Sequence, residues 1–246
     1  MAVLVTRPQP DDELTAHALR AKGFEVLLAP MLRFEQVAGH DDASGRYGAV
    51  IVTSASALRA AEAGLAAIRS LPLFAVGERT AEAARAAGFR AVAVAEGNVA
   101  ALRELIVASA RAKKLRKAHP LLYLAGADLA GDLAGELEAE GFHVVTRTTY
   151  RMVPVSRLPQ HTIDAFAANT IEAVLHYSRR SARAFLDAAR SAGVEITALA
   201  LPQCCISDSV AAILREAGAT QLAVARTSDE NGLFEALQRA LGAPSR

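Results

Sequence analysis

The sequence has no tryptophan and few aromatic residues, and it lacks the features of several specialised classes of protein. Among its 246 residues aromatic side chains make up 5%, and the two cysteines, Cys204 and Cys205, are adjacent. Neighbouring cysteines cannot link distant segments, and no apolar run approaches the ~20 residues of a membrane-spanning helix. The sequence therefore predicts neither an integral membrane protein nor a secreted domain held together by disulfides.

Charge of one sign is not in excess either. Lysine and arginine total 27 and aspartate and glutamate total 26, so the net charge is +1. A protein dedicated to nucleic-acid binding normally has a clear basic excess, so no nucleic-acid partner is expected. The first residues, MAVLVTRP, enter a strand without the basic flank of a secretory signal. We expect a cytoplasmic protein.

Motifs for nucleotide, metal and acyl-transfer chemistry are absent. Gly126, Gly131 and Gly135 follow a strand, but their spacing does not match G-x-G-x-x-G, and no G-K-[ST] follows. The six histidines form no H-x-x-x-H or H-E-x-x-H pair, and G-x-S-x-G does not occur. His176 is interpreted as a hydrogen-bonded histidine near the end of a strand, and the cysteines as small core residues on opposite faces of a strand. The sequence thus predicts no metal site and no nucleotide-binding motif.

An internal duplication organises the chain. Leu121–Pro154 reads as strand, helix and strand, and the first 35 residues repeat this order. Gly23-Phe24 aligns with Gly141-Phe142 at an offset of 118, and Gly88 aligns with Gly218 at an offset of 130. Alternating strands and helices form parallel sheets covered on both faces, so we predict two α/β domains of similar topology.

Hydroxyl-bearing residues follow the predicted strands. In open parallel sheets ligands bind beyond the carboxyl ends of the strands, at the N-termini of helices, where free N–H groups attract anions. As plain helix caps these residues need no ligand, but a cap can also hold a carboxylate. Tyr150 lies at the end of a strand that runs from one half of the chain to the other. It is either an ordinary aromatic residue at the sheet edge or a phenol that faces an interdomain cleft and donates a proton or a hydrogen bond. The candidate anion-binding residues are Thr6, Arg7, Thr53, Ser54, Gly77, Thr80, Ser178, Ser207 and Ser209.

Several short segments, taken in order, carry a family resemblance. They are Val5-Thr6-Arg7-Pro8, VIVTSASAL, FAVGERTAEAARAAGF, Thr149-Tyr150-Arg151, VLHYSRRSARAFL and CCISDSVAAILREAGA. Each is weak alone, but their order and spacing resemble the uroporphyrinogen-III synthase family over nearly the whole chain. The chain departs from the family at Ser178-Arg179-Arg180-Ser181, where Ser-Pro-Ser-Gly is common.

The resemblance implies a fold of two similar flavodoxin-like α/β lobes with parallel sheets. Residues 1–35 and 153–246 would form one lobe, and residues 36–152 would form the other, inserted lobe. Strands near 33–37 and 148–153 would pair antiparallel as a hinge. Because a two-stranded ladder is barely stable alone, we expect the lobes to move and open a cleft for a large ligand.

The resemblance also implies a reaction, a substrate and roles for the candidate residues. A lyase of this family cyclises hydroxymethylbilane, a linear tetrapyrrole, and inverts its last ring through a spiro intermediate, without a cofactor. Tyr150 would assist departure of the hydroxyl. Main-chain N–H groups and the hydroxyls of the candidate residues would bind the substrate's carboxylates, and Arg7 would add charge. A monomer is expected, in transient contact with the preceding pathway enzyme.

Two alternatives stay open at this point. A non-catalytic two-lobed protein that binds an acidic small molecule would also have a hinge, helix caps and no catalytic dyad. A nucleotide-dependent enzyme is the other alternative, although the glycine fingerprint is missing.

Overall fold

The computed structural model describes residues 1–37, 46–129 and 131–242. The chain folds into two compact units: Met1–Phe34 with Val153–Arg246 form the first, and Glu35–Met152 form the second. The chain therefore passes from one unit to the other twice, between Phe34 and Glu35 and between Met152 and Val153. Within the described ranges, no helix is both long and apolar enough to cross a bilayer.

Strands and helices alternate along most of the chain, as the sequence pattern predicts. In chain order they are β1 (Ala2–Val5), α1 (Asp11–Ala21), β2 (Glu25–Leu28), β3 (Leu32–Gln36), β4 (Ala49–Val52), α2 (Ala55–Ala60), β5 (Leu73–Val76), α3 (Glu78–Ala86), β6 (Val92–Ala95), α4 (Val99–Arg111), β7 (Leu121–Gly126), α5 (Leu133–Ala139), β8 (Val144–Pro154), α6 (Gln160–Ala167), β9 (Ile171–His176), α7 (Arg179–Ser191), α8 (Glu195–Ala200), β10 (Gln203–Cys205), α9 (Asp208–Glu216), β11 (Leu222–Val224) and α10 (Glu230–Ala240).

Two sheets result, and most of their strand pairs are parallel. The first sheet has the order β11-β10-β9-β1-β2, and the second has the order β3-β8-β7-β4-β5-β6. All four pairs of the first sheet are parallel, as are the pairs that join β8, β7, β4, β5 and β6 in the second. The mixed α/β class with parallel sheets is confirmed.

The crossing strands β3 and β8 run in opposite directions. The Val37 N–H donates to the Thr149 carbonyl at 2.8 Å, and the Val155 N–H donates to the Met31 carbonyl at 3.0 Å. One residue number rises as its partner's falls, which is the antiparallel register. The guanidinium of Arg151 adds an ion pair to Glu35, with Nη2 and Oε2 2.7 Å apart. The expected antiparallel pairing of the two crossing strands is therefore present, and its action as a hinge stays a prediction.

One predicted helix is wrong in length. The pattern indicated a single helix from about Ala55 to Arg69, but α2 ends at Ala60 and a 3₁₀ helix, Glu62–Ala67, follows. Gly64 lowers the helical propensity of this segment, and the tighter turn still buries Leu65 in the core. The sequence also gave no indication of α8, which has no side-chain cap at its start.

The cysteines lie on opposite faces of β10, as predicted. Cys204 packs with Val3 and Leu233, whereas Cys205 packs with Val210 and Leu214 on the other face. Both are free and fully buried. Burial raises the pKa of each thiol to about 12, so neither is a thiolate nucleophile near neutral pH.

His176, at the end of β9, is a core residue of the first unit. Its Nε2 lies 2.9 Å from Oε1 of Gln203, and its ring meets the Phe185 ring edge-on with centroids 5.2 Å apart. Burial lowers the pKa of His176 from 6.5 to about 4, although the Gln203 contact opposes the shift. The imidazole is therefore neutral in the folded protein at neutral pH.

We expect His176 to make the first unit sensitive to acid. The unfolded chain takes up the proton first as pH falls below about 6.5, so stability declines from there to about pH 4. Between pH 7 and pH 5 this amounts to about 2 kcal/mol. Urea unfolding of wild type and His176→Gln at both pH values measures it. The loss of stability on acidification should be smaller in the variant, and equal losses would contradict the assignment.

Candidate active site

The second unit gathers several candidate residues at one edge of its sheet. Thr53 follows β4, Gly77 follows β5, and Gly126 is the last residue of β7. These three strands are parallel, so their carboxyl ends lie at the same edge. Tyr150 on β8 is paired with Gly126, which brings its phenol to this edge as well.

Thr53 is held by a tyrosine that the sequence reasoning missed. The Thr53 Oγ1 lies 3.2 Å from the Tyr123 hydroxyl, and either atom can donate. Tyr123 is buried in β7, and burial raises its pKa, partly offset by the Thr53 contact and reinforced by nearby Tyr150. The neutral phenol therefore orients the Thr53 hydroxyl.

Tyr150 is half-buried at the same edge. Its ring packs against the core layer that contains Val52 and Leu124. Its carbonyl accepts a hydrogen bond from the Ala127 N–H at 2.8 Å, so its backbone is tied to the end of β7. The position is suited to a phenol that meets a ligand, and its role as proton donor stays a prediction.

Two helices of the second unit begin at this edge in different ways. The Ser54 hydroxyl caps α2 by accepting from the Ser56 N–H at 3.2 Å. Helix α3 starts after Gly77, which has φ +71° and provides no side-chain cap. A residue with a side chain would be strained there, and the uncapped first turn leaves amide donors for a ligand. Thr80, in that first turn, is 7% exposed, and its carboxylate-binding role stays a prediction.

The candidate residues of the first unit have mixed environments. Thr6 is fully buried, and its hydroxyl donates to the Leu175 carbonyl at 2.8 Å, which links β1 to β9. Its hydroxyl serves the fold here, and its carboxylate-binding role stays a prediction. Ser178 caps α7 by accepting from the Ser181 N–H at 3.1 Å. Ser207 and exposed Ser209 pair with each other through their hydroxyls, 3.0 Å apart.

The uncapped helix starts recur in the two units. Helix α9 follows Ser207, whose side chain makes no capping hydrogen bond, just as α3 follows Gly77. Both helices are nine residues long, and their first residues, Glu78 and Asp208, differ by the repeat offset of 130. The duplication therefore places an open helix N-terminus at the carboxyl edge of each sheet.

Arg7 is engaged within the first unit. Its Nη1 donates to Oε1 of Glu230 at 2.9 Å, and its Nη2 donates to Oδ2 of Asp11 at 3.1 Å. The guanidinium carbon lies 4.6 Å from the centre of the Tyr177 ring. Oε1 of Glu230 also accepts from the Thr15 hydroxyl at 2.5 Å. These two carboxylates neutralise the charge of Arg7. Its contribution to substrate binding stays a prediction.

A pocket of about 660 Å³ in the second unit lies away from these residues. Tyr47 and His119, which line it, precede β4 and β7 and so lie at the amino ends of the strands. The pocket therefore lies at the amino edge of the sheet, whereas the candidate residues lie at the carboxyl edge. The carboxyl edge is the better candidate for the active site because the strand-end hydroxyls and the helix starts lie there. Among the described residues, no group of three or more His, Cys, Asp or Glu side chains is arranged to hold a metal ion.

A family model identifies the family of the chain, and solved structures share its fold. Residues 13–235 match the family model described as uroporphyrinogen-III synthase HemD. No curated protein sequence matches the chain. A mutant uroporphyrinogen III synthase from the bacterium Thermus thermophilus is similar with a TM-score of 0.57 and 18% identity, covering 99% of this chain and 100% of that one. Uroporphyrinogen-III synthetase from Helicobacter pylori is similar with a TM-score of 0.63 and 15% identity, covering 97% of this chain and 98% of that one. At these identities the two structures show a shared fold.

We expect Glu230→Gln to destabilise the first unit. The variant keeps the size of the side chain but removes the charge that Arg7 and Thr15 contact. Loss of charged hydrogen bonds of this kind costs about 2 kcal/mol. Urea unfolding measures the change, with Glu235→Gln, an exposed site on the same helix, as the control. A loss no larger than that of the control would show that the Arg7–Glu230 contact contributes nothing.

Proposed function

The chain belongs to the uroporphyrinogen-III synthase family of haem biosynthesis, and on that premise we propose how its residues carry out the reaction. The substrate is hydroxymethylbilane and the product is uroporphyrinogen III. The match over residues 13–235 is the observation that carries this assignment. Water leaves as the ring closes, so we assign the enzyme to the lyases.

The chemistry proceeds through a cation and a spiro intermediate. The hydroxyl on the first ring leaves as water after it receives a proton, and a cationic azafulvene remains. The substituted carbon of the last ring attacks, and the resulting spiro centre fragments and recloses with that ring inverted. Loss of a ring proton restores aromaticity, so no net oxidation or reduction occurs.

We propose that Tyr150 supplies the proton to the leaving hydroxyl. A phenol is a weak acid, but general acid catalysis needs only a donor held within hydrogen-bond distance of the leaving oxygen. Its position beside Gly126, at the edge that also carries Thr53, supports this role.

We propose that the carboxyl edge of each sheet binds some of the substrate's acetate and propionate groups. Main-chain N–H groups at the starts of α3 and α9 are donors, and the partial positive charge of a helix N-terminus favours carboxylates. The exposed or half-buried hydroxyls nearby provide further hydrogen bonds. The residues in this role are Thr53, Ser54, Gly77, Ser178, Ser207 and Ser209.

In this proposal, most of the rate acceleration comes from positioning the rings of the substrate. Hydroxymethylbilane left alone closes to the uninverted isomer, so the enzyme must select the geometry in which the last ring attacks through its substituted carbon. Holding reacting groups in such a geometry accelerates reactions by large factors without reactive side chains. A site built from amides, hydroxyls and one phenol is consistent with that demand.

A single assay tests the activity. Purified protein is incubated with hydroxymethylbilane, the products are oxidised, and the type I and type III isomers are separated by chromatography. We expect type III from the enzyme and type I without it. A protein that binds the bilane but releases only type I would be a non-catalytic binding protein.

We further propose that the enzyme is a cytoplasmic monomer that makes transient contact with the preceding pathway enzyme. The two free, buried thiols are consistent with a reducing compartment. Each unit has its own buried core, which is consistent with folding without a second copy of the chain.

Tyr150→Phe should lower kcat on the order of 100-fold, because the hydroxyl that donates the proton is lost while the ring remains. The product should still be mainly type III, since placement of the substrate is unchanged. Tyr47→Phe, at the amino end of β4, is the matched control and should retain full activity. Unchanged turnover in Tyr150→Phe would show that another group is the acid.

Asp208→Pro tests the contribution of a main-chain donor. Proline is tolerated at the first position of a helix but has no N–H, so the variant removes one donor of α9 and keeps the helix. Asp208→Ala removes the same side chain and keeps the donor. We expect KM for hydroxymethylbilane to be about 5- to 10-fold higher in the proline variant than in the alanine variant, with similar kcat. Equal KM values would contradict carboxylate binding at this amide.

A further inference from the structure

We propose that Gly126 is the positioning residue for the Tyr150 phenol, because only a residue without a side chain lets the ring lie across the end of β7. The proposal deepens the function given above and rests on it for the role of Tyr150 as the acid. The contact between the two residues can be tested without that role.

The distances at Gly126 leave no space for a side chain. A Cβ atom built on Gly126 would lie 2.7 Å from Cζ, 2.9 Å from Oη and 3.1 Å from Cε1 of Tyr150. The first two distances are shorter than real Cβ atoms tolerate. Gly126 is not among the glycines with positive φ, so glycine is needed here for space and not for backbone conformation.

A β-bulge in β8 directs the phenol to this place. Ala125 pairs with Thr148, but Gly126 pairs with Tyr150, so Thr149 is the extra residue. The Thr149 hydroxyl donates to the Ala125 carbonyl at 3.2 Å and is buried. Bulges beside functional sites turn the next side chain in a new direction, and here that side chain crosses the glycine.

The backbone around the contact is tied on both sides. The Ala127 N–H donates to the Tyr150 carbonyl at 2.8 Å, and the Val37 N–H donates to the Thr149 carbonyl at 2.8 Å. Strand β8 is thus fixed between β7 and β3, so an added methyl group moves the ring of Tyr150 before it moves the strand. The hydroxyl at the tip of the ring is displaced most.

Gly126→Ala should therefore lower kcat through Tyr150. A displacement of about 1 Å in a reacting group costs about 10- to 100-fold in rate, and we expect such a loss in kcat with little change in KM. In a Tyr150→Phe background the ring still moves, but no hydroxyl is misplaced, so Gly126→Ala should cause no further loss. Gly64→Ala is the control, because a Cβ at Gly64 meets nothing within 4 Å.

Tyrosine NMR tests the contact independently of activity. The chain has four tyrosines and no tryptophan, so ring-labelled tyrosine gives few signals, and Tyr150→Phe identifies the one from Tyr150. Gly126→Ala should shift the Tyr150 signal and leave Tyr47 and Tyr177 unchanged. An unmoved Tyr150 signal, or an equal kinetic loss in the Tyr150→Phe background, would overturn the proposal. If Tyr150→Phe keeps full turnover, the assigned acid is wrong, and the NMR result still decides the positioning contact.

A stability cycle covers the case in which Gly126→Ala folds poorly. Truncating Tyr150 to alanine removes the ring that the new methyl group meets. We therefore expect Gly126→Ala to lower the urea midpoint of the wild type but not that of Tyr150→Ala. The same loss in both backgrounds would show that the glycine is needed for a reason other than the phenol.

Discussion

Parallel strand pairing is the constraint on which the rest of the structure depends. It brings the carboxyl ends of successive strands to one edge of each sheet, and the helices that follow begin at that edge. Because the chain is duplicated, this happens once in each unit, with α3 and α9 as equivalent uncapped helices. Open amide donors are thereby produced by the fold itself and need no charged side chain.

Such an edge suits a substrate with a carboxylate on every ring. Amides and hydroxyls bind carboxylates without bringing charges that would have to be neutralised within the protein. Arg7 illustrates the alternative, because its charge is already balanced by Asp11 and Glu230. The proposed chemistry requires one phenol and a fixed geometry of the substrate. The β-bulge at Thr149 and the absence of a side chain at Gly126 together orient that phenol.

The duplication, the α/β class and the alternation at Cys204 and Cys205 were predictable because they follow from local periodicity. The family followed from the order of short segments. Contacts across the sheet were not predictable: Tyr123 reads as one residue of an apolar run, and its hydroxyl reaches Thr53 because β4 and β7 pair in one register. The Arg7–Glu230 contact joins residues 223 positions apart and leaves no local signal.

A crystal structure with uroporphyrinogen III bound tests carboxylate binding at the helix starts most directly. We predict carboxylates within hydrogen-bond distance of the first-turn amides of α3, with the Tyr150 hydroxyl facing the macrocycle. Carboxylates held by side chains at the amino ends of the strands, with the start of α3 unoccupied, would contradict this prediction.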